Sequence, residues 1–293
     1  HQFLSAFDRG AAARSALVLV ALVLAVVIIA GGAAGADRAG DRGRPLRLRL
    51  GGLRAPAIAA CALYVLAATA IPLISLASWL ADTPSAAAGL SRALAGSLRA
   101  AALVVVPGVV FAVIVAIVAE RGGRLGRAIG RVVEVGFALP GLVVALGLSV
   151  AALRLVPSLY QGWVPYVVAM LILYVPLGAA AIRGSLASVP PVLEDAARTL
   201  GASRAAVFRR VTLPIVRPGV LAAAALLAIS TMKELGASLL LLPTGTTTLA
   251  VQLWDSTEEA RYGLAAAPAL LLIGIAAIAA FAVERRAHAR SHG

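Results

Sequence analysis

The sequence predicts an all-α fold: a polytopic transmembrane helix bundle of about seven spanning helices. Three observations predict it. Of 293 residues, 61% are apolar and 13% charged, against about 45–50% and about 25% in a soluble domain. The apolar residues form long uncharged runs instead of alternating with polar ones. The basic residues gather in the gaps between alternate runs. A soluble fold with one very large core would need far more polar surface than this composition supplies.

A spanning helix needs about 20 apolar residues, rising about 1.5 Å each, to cross about 30 Å of hydrocarbon. Uncharged runs of that kind occupy 15–36, 55–81, 100–119, 135–153, 155–182 and 262–283. A further run, 218–232, meets Lys233 and Glu234 and continues apolar over 235–242. It reads as a seventh spanning helix with a charged pair inside it. Between the first two runs, 37–54 is rich in Gly and Arg with little apolar periodicity, so it reads as a basic linker. Pro107, Pro140 and Pro176 fall inside expected helices. Each removes a backbone hydrogen bond and can kink its helix.

An odd number of crossings puts the two chain ends on opposite sides. One set of gaps holds the arginines of 38–54, 121–131 and 183–217, and the tail adds Arg285, Arg286 and Arg290. The other set is sparser: Arg9, Arg14, Arg92, Arg99, Arg154 and Arg261, with Lys233. The positive-inside rule assigns the richer set and the C-terminus to the cytoplasmic side of a cell inner (plasma) membrane. The same arrangement answers the net charge of +13. The arginines alternate with crossings and form no single stripe with interleaved aromatics, so nucleic acid is not the expected partner.

Other chemistries are excluded by what is missing. Cys61 is the sole cysteine, and His1, His288 and His292 lie at the ends. No disulfide within the chain, metal site or Ser/His/Asp set is expected. Lys233 is the sole lysine and has no phosphate-loop context, so no nucleotide-hydrolysing motif is present. We expect no cofactor, and no enzyme. The chain opens at His1-Gln2-Phe3 without an initiator methionine, and we expect it to be a piece of something longer.

The most informative gap is 183–217. Pro190 and Pro191 can open a helix, where first-turn N–H groups lack partners anyway. Glu194 and Asp195 follow in early turns, where acidic charge suits the helix dipole. Leu193, Ala196, Ala197 and Leu200 share one face at helical spacing. Gly201 suits a left-handed cap, and Ser203 can start a second short helix through Arg210. Pro214 and Pro218 are expected to end the segment. A loop of this length in a compact membrane protein points to function, and an apolar stripe suits docking into a partner's groove.

Here the chain resembles the permeases of binding-protein-dependent ABC importers. Their "EAA" loop reads Glu-Ala-Ala, three residues, Gly, nine residues, Ile, one residue, Leu-Pro. This chain has Asp195-Ala196-Ala197, Gly201, then Val211, Thr212, Leu213 and Pro214. Asp195 replaces Glu and Val211 replaces Ile; Glu194, one residue earlier, could also supply the carboxylate. The resemblance implies a coupling helix docking on an ATPase subunit through Glu194, Asp195, Ala196, Ala197, Leu200, Gly201, Leu213 and Pro214. Residues 137–142, containing Ala138-Leu139-Pro140-Gly141, resemble the start of a middle helix in ferric-iron-type permeases. Met232-Lys233-Glu234-Leu235, then Leu239-Leu240-Leu241, Thr248-Leu249-Ala250, Trp254 and Tyr262, look like the last stretch of the same subfamily.

The resemblance therefore implies a type I ABC importer permease over 55–286, with its coupling loop at 183–217. Residues 1–36 look like the last helix of a preceding permease half, 37–54 like a cytoplasmic linker and 287–293 like a cytoplasmic tail. The implied partners are ABC ATPase subunits, a periplasmic or lipid-anchored solute-binding protein, a second permease half and the lipid bilayer. The implied solute is ferric iron or an iron chelate, with thiamine, phosphonate and polyamine as related alternatives. Pro140, Gly141, Lys233 and Glu234 are candidates for the translocation path. Lys233 and Glu234 could instead serve a structural role, each needing its own partner in the bundle. An ion-gradient transporter is the rival from another class, with Glu234 as its candidate coupling carboxylate.

Overall fold

The computed structural model describes residues 54–288 apart from Ala86. Every regular element in that range is helical: α1 (Arg54–Ala81), α2 (Leu90–Arg121), α3 (Gly123–Ala138), α4 (Gly141–Leu155), α5 (Trp163–Leu186), α6 (Pro191–Thr199), α7 (Arg204–Val207), α8 (Leu213–Lys233), α9 (Gly236–Leu241), α10 (Leu249–Glu258) and α11 (Tyr262–His288). Lipid offers backbone groups no partner, so a spanning segment satisfies them internally as helix. The expected helix over 15–36 and the linker that follows it lie outside the described residues.

Five of these helical segments are long and apolar enough to cross a membrane, and a sixth span exists if the bent pair α3–α4 is one crossing. That bend corrects the expected single helix over 135–153, in which Pro140 was expected to make no more than a kink. The two halves meet at 101°. Pro140 has no N–H to continue the helix, and it forces Leu139 into an extended conformation (φ −75°, ψ 134°). The expected helix over 155–182 is also corrected. It starts only at Trp163, after a 3₁₀ turn at Pro157–Leu159. The fourth long span differs most. Arg204–Lys233 forms one crossing-length segment, with a π-helical turn at Phe208–Thr212. Pro214 and Pro218 therefore do not end the elbow. Pro214 sits in the first turn of α8, just past the π-helical turn, and Pro218 lies within α8. At its far end the segment stops at Lys233. Glu234 turns extended (φ −70°, ψ 118°), so the charged pair is not embedded in one continuous helix.

The core lies where α2, α5 and α8 pack on one another. It is lined by small residues: Ala100, Ala112, Ala116, Ala169, Ala179 and Ala223 are buried beside Met170, Leu173 and Leu227. Small side chains let helix backbones approach closely, which is how helices adhere when lipid removes the hydrophobic drive. α1 packs against α11 and buries none of its own residues.

Cross-helix contacts define two ends of the bundle. At one end Arg121 of α2 pairs with Glu194 of α6, and Arg183 of α5 pairs with Glu134 of α3 at 2.5 Å. At the other, Ser97 accepts from the Leu249 N–H at 2.8 Å, Arg99 lies 4.9 Å over the Trp163 ring, and Trp79 meets Tyr262 at 5.4 Å. The first is the arginine-rich end.

Candidate functional site

At the arginine-rich end, α6 and α7 form an elbow outside the long helices. Pro190 caps α6 and Pro191 occupies its first turn. Gly201 takes φ +85°, a conformation a side chain disfavours. Its N–H donates to the Arg198 carbonyl at 2.9 Å, and the Ala202 N–H donates to Ala197 at 3.1 Å. Those two bonds close a Schellman cap. Ser203 then caps α7, its hydroxyl accepting from the Ala206 N–H at 3.3 Å. Helix, glycine stop and serine start fix the angle between the two pieces.

The elbow has two chemically different sides. Outward, Val192, Leu193 and Leu200 are 73%, 46% and 88% exposed. Asp195 faces solvent and pairs with Arg198 at 3.0 Å. Inward, Glu194 is 5% exposed. Its carboxylate accepts from the Thr212 hydroxyl at 2.7 Å and from Arg121, with Arg198 at 3.5 Å. Burial alone would raise its pKa. The bonds from Thr212 and Arg121 and the charges of Arg121 and Arg198 outweigh that and hold the carboxyl below its ordinary 4.5. Of the other expected docking residues, Ala196 and Pro214 are exposed, while Ala197 and Leu213 are half-buried.

The second node lies where two helices break. Glu234 ends α8, and its carboxylate accepts from the Ala237 N–H at 3.1 Å, in the first turn of α9, and from the Tyr174 hydroxyl of α5. Its own carbonyl accepts from Ser238 at 2.5 Å. Gly141, which starts α4, is packed so tightly that a Cβ there would collide with the Glu234 carboxylate. A Cβ on Gly236 would stand 2.9 Å from the Leu142 nitrogen. The structure thus brings Pro140, Gly141 and Glu234 together, although 93 residues separate Gly141 from Glu234 (234 − 141). Lys233 goes elsewhere. It is exposed, beside Ile229, Met232, Leu272 and Ile275 in a cleft between α8 and α11.

The match to known proteins falls on this framework. The family model described as "binding-protein-dependent transport system inner membrane component" matches residues 108–287, which hold both nodes. The chain belongs to that family. The permease is 36% identical over 150 residues to an Fe(3+)-transport system permease protein of Haemophilus influenzae, covering 51% of this chain and 30% of that one. It is 31% identical over 150 residues to a putative 2-aminoethylphosphonate transport system permease protein of Salmonella typhimurium, covering 50% of this chain and 56% of the relative. The chain thus spans about a third to about half the length of these relatives. In fold it is similar to a bacterial ABC transporter involved in the import of the acidic polysaccharide alginate, at TM-score 0.63 and 17% identity, covering 80% of this chain and 95% of that one.

Three residues of these nodes escaped sequence reasoning. Arg121 counted only as one basic residue among many, although Gly122-Gly123 behind it marks a helix end. Thr212 entered only as the motif's variable position between Val211 and Leu213. Tyr174 carried the clearest signal, since a phenol inside an apolar run must find a partner for its hydroxyl.

Proposed function

We propose that this permease carries a small solute inward by alternating access, driven by ATP hydrolysis on separate ATPase subunits. The carrying observation is the elbow: a capped helix at the arginine-rich end that presents Val192, Leu193 and Leu200 outward. An exposed apolar stripe on a rigid helix suits an ATPase groove. In this reading the arginine-rich end and the C-terminus face the cytoplasm. A solute-binding protein delivers at the opposite end, near α10, where Trp254 is 40% exposed. Closure of the ATPase dimer pushes the elbow, and the long helices rock about the membrane centre.

Ferric iron or an iron chelate is the proposed solute, supported by the likeness to the Haemophilus influenzae permease. The likeness to the phosphonate permease keeps an organic anion as the alternative. Residues 55–286 act as one permease unit beside a second half, with 1–36 and 37–54 belonging to the junction between them. Pro140, Gly141 and Glu234 line or close the path. Lys233, on the α8–α11 cleft, stands off it.

The test is reconstitution with the ATPase, second half and binding protein of the same system. We expect Leu200→Asp to release the ATPase on co-purification, because a charge would enter an apolar groove. ATP-dependent uptake of the ferric chelate should fall at least about tenfold, the scale of a typical coupling free energy. Full uptake and full ATPase retention by L200D would overturn the docking role. Uptake that follows an ion gradient without ATP would establish the rival.

A further inference from the structure

We propose that the two neighbouring carboxylates of the elbow divide the work: Glu194 is a positioning residue that fastens the elbow to the bundle, and Asp195 is left for the partner. This rests on the coupling reading above. Consecutive helical residues point about 100° apart, so one side chain can face inward while the next faces out. The structure shows that split. Glu194 is 5% exposed, whereas the Asp195 side chain is 68% exposed.

Two of the three partners of Glu194 come from the helices that a push must move. Arg121 is the last residue of α2. Thr212, itself 0% exposed, lies in the π-helical turn that leads into α8. The third partner, Arg198, is one turn along α6. A buried carboxylate is tolerated only when paired and hydrogen-bonded, and this one has all three partners. Displacing α6 alone would strand Glu194, so α6, the end of α2 and the start of α8 move together. Both α2 and α8 belong to the bundle core, and α8 runs on to Glu234. The π-helical turn adds a reason for the placement. Such turns are rare and occur frequently at functional positions. Here the turn's one buried hydroxyl is spent on Glu194.

Asp195 has a different fate. Its one partner among the described residues, Arg198, is 51% exposed. An exposed pair like this contributes little to the fold and exchanges readily for a partner's cation. The elbow therefore carries an inner carboxylate for transmission and an outer one for recognition.

The experiment uses the whole transporter in proteoliposomes and reads two quantities: ATPase retained on affinity purification, and ATP hydrolysed per solute taken up. In E194Q the amide oxygen still accepts from Thr212, but the charge opposite Arg121 is gone. We expect E194Q to retain the ATPase, with ATP used per solute rising about tenfold. D195N should instead lose ATPase on washing, with no comparable rise in the ratio of what remains. R121Q should act like E194Q, and R121Q with E194Q should be no worse than either alone, since one contact is lost in all three. T212V, nearly isosteric, should shift the ratio in the same direction by less, and it decides the matter if E194Q does not accumulate.

Loss of ATPase by E194Q would make Glu194 a docking contact and overturn the proposal. An unchanged ratio in E194Q, or in T212V where that variant decides, would overturn it equally. Failure of the unsubstituted permease to retain any ATPase would instead sink the coupling reading itself.

Discussion

Glu194 and Glu234 are both carboxylates close to a helix end, yet they are satisfied in opposite ways. Glu194 sits at the arginine-rich end and is held by two guanidinium groups and a hydroxyl. Glu234 sits where α8 breaks into α9 and is held by a phenol and a backbone N–H. Lys233 beside it makes no ion pair with it, lying instead on the α8–α11 cleft. The difference follows from the surroundings. Near water, long arginine side chains can reach a buried carboxylate while keeping part of themselves solvated. Inside the bundle a cation would need its own partners, so short-range neutral donors and a freed helix N–H take its place. The first node is tuned by charge, the second by steric fit.

The steric node should break hardest. At Gly141 a Cβ meets a carboxylate that cannot swing aside without losing Tyr174 and the Ala237 N–H. We expect Gly141→Ala to destabilise the purified permease by about 3 kcal/mol, the upper range for overpacking a filled site. Thermal unfolding in detergent reads this directly. Glu234→Ala should relieve part of the loss when combined with G141A, so the pair should be markedly non-additive. Additive losses would mean that Gly141 and Glu234 do not act on each other, and the node would dissolve.

How much of this was legible beforehand depends on which physics set each feature. The helical class and the presence of α2 and α11 as spans follow from hydropathy, which is local, but α2 begins at Leu90 and not at 100, since Arg92 and Arg99 interrupt the apolar run without ending the helix. Gly201 and Ser203 form the caps their places in the sequence suggest, because capping is decided within a few residues. The α3–α4 bend was half visible: Pro140 announced a disturbance, but a mild kink and a 101° turn look alike in sequence. The divergence of Glu194 and Asp195 was invisible. Both fit the same motif position, and only Arg121, 73 residues away, and Thr212 tell them apart. Likewise the joining of Gly141 to Glu234 needs two helix breaks at one depth, which no window along the chain can show.

A middle-sized effect isolates the neutral donor. Tyr174→Phe removes the hydroxyl bonded to Glu234 and leaves the ring. A hydrogen bond to a charged group contributes about 1.5–3 kcal/mol, so we expect a loss of about 2 kcal/mol in the same unfolding assay. Y174F should also lower uptake without loosening the ATPase, since α5 meets Glu234 far from the elbow. Equal loss of ATPase retention in Y174F and L200D would show that the two nodes are not separate devices, and the comparison would fail.

The smallest effect separates the nodes by pH. Glu194 is held below its ordinary 4.5 in the folded chain. The folded state therefore binds this proton less readily than the unfolded state does. The stabilisation it gives is complete above the unfolded value and fades as pH falls through the lowered folded one. The titration belongs to the carboxyl, with the nearby Asp195–Arg198 pair as its immediate neighbour. Arg121 is 40% exposed, and solvent weakens its share of the effect. Acid unfolding of the native permease should show a component below pH 4.5 that E194Q lacks, while Y174F should retain it in full. A component that persists unchanged in E194Q would place the acid-sensitive group elsewhere and remove charge as the feature that distinguishes the elbow from the helix break.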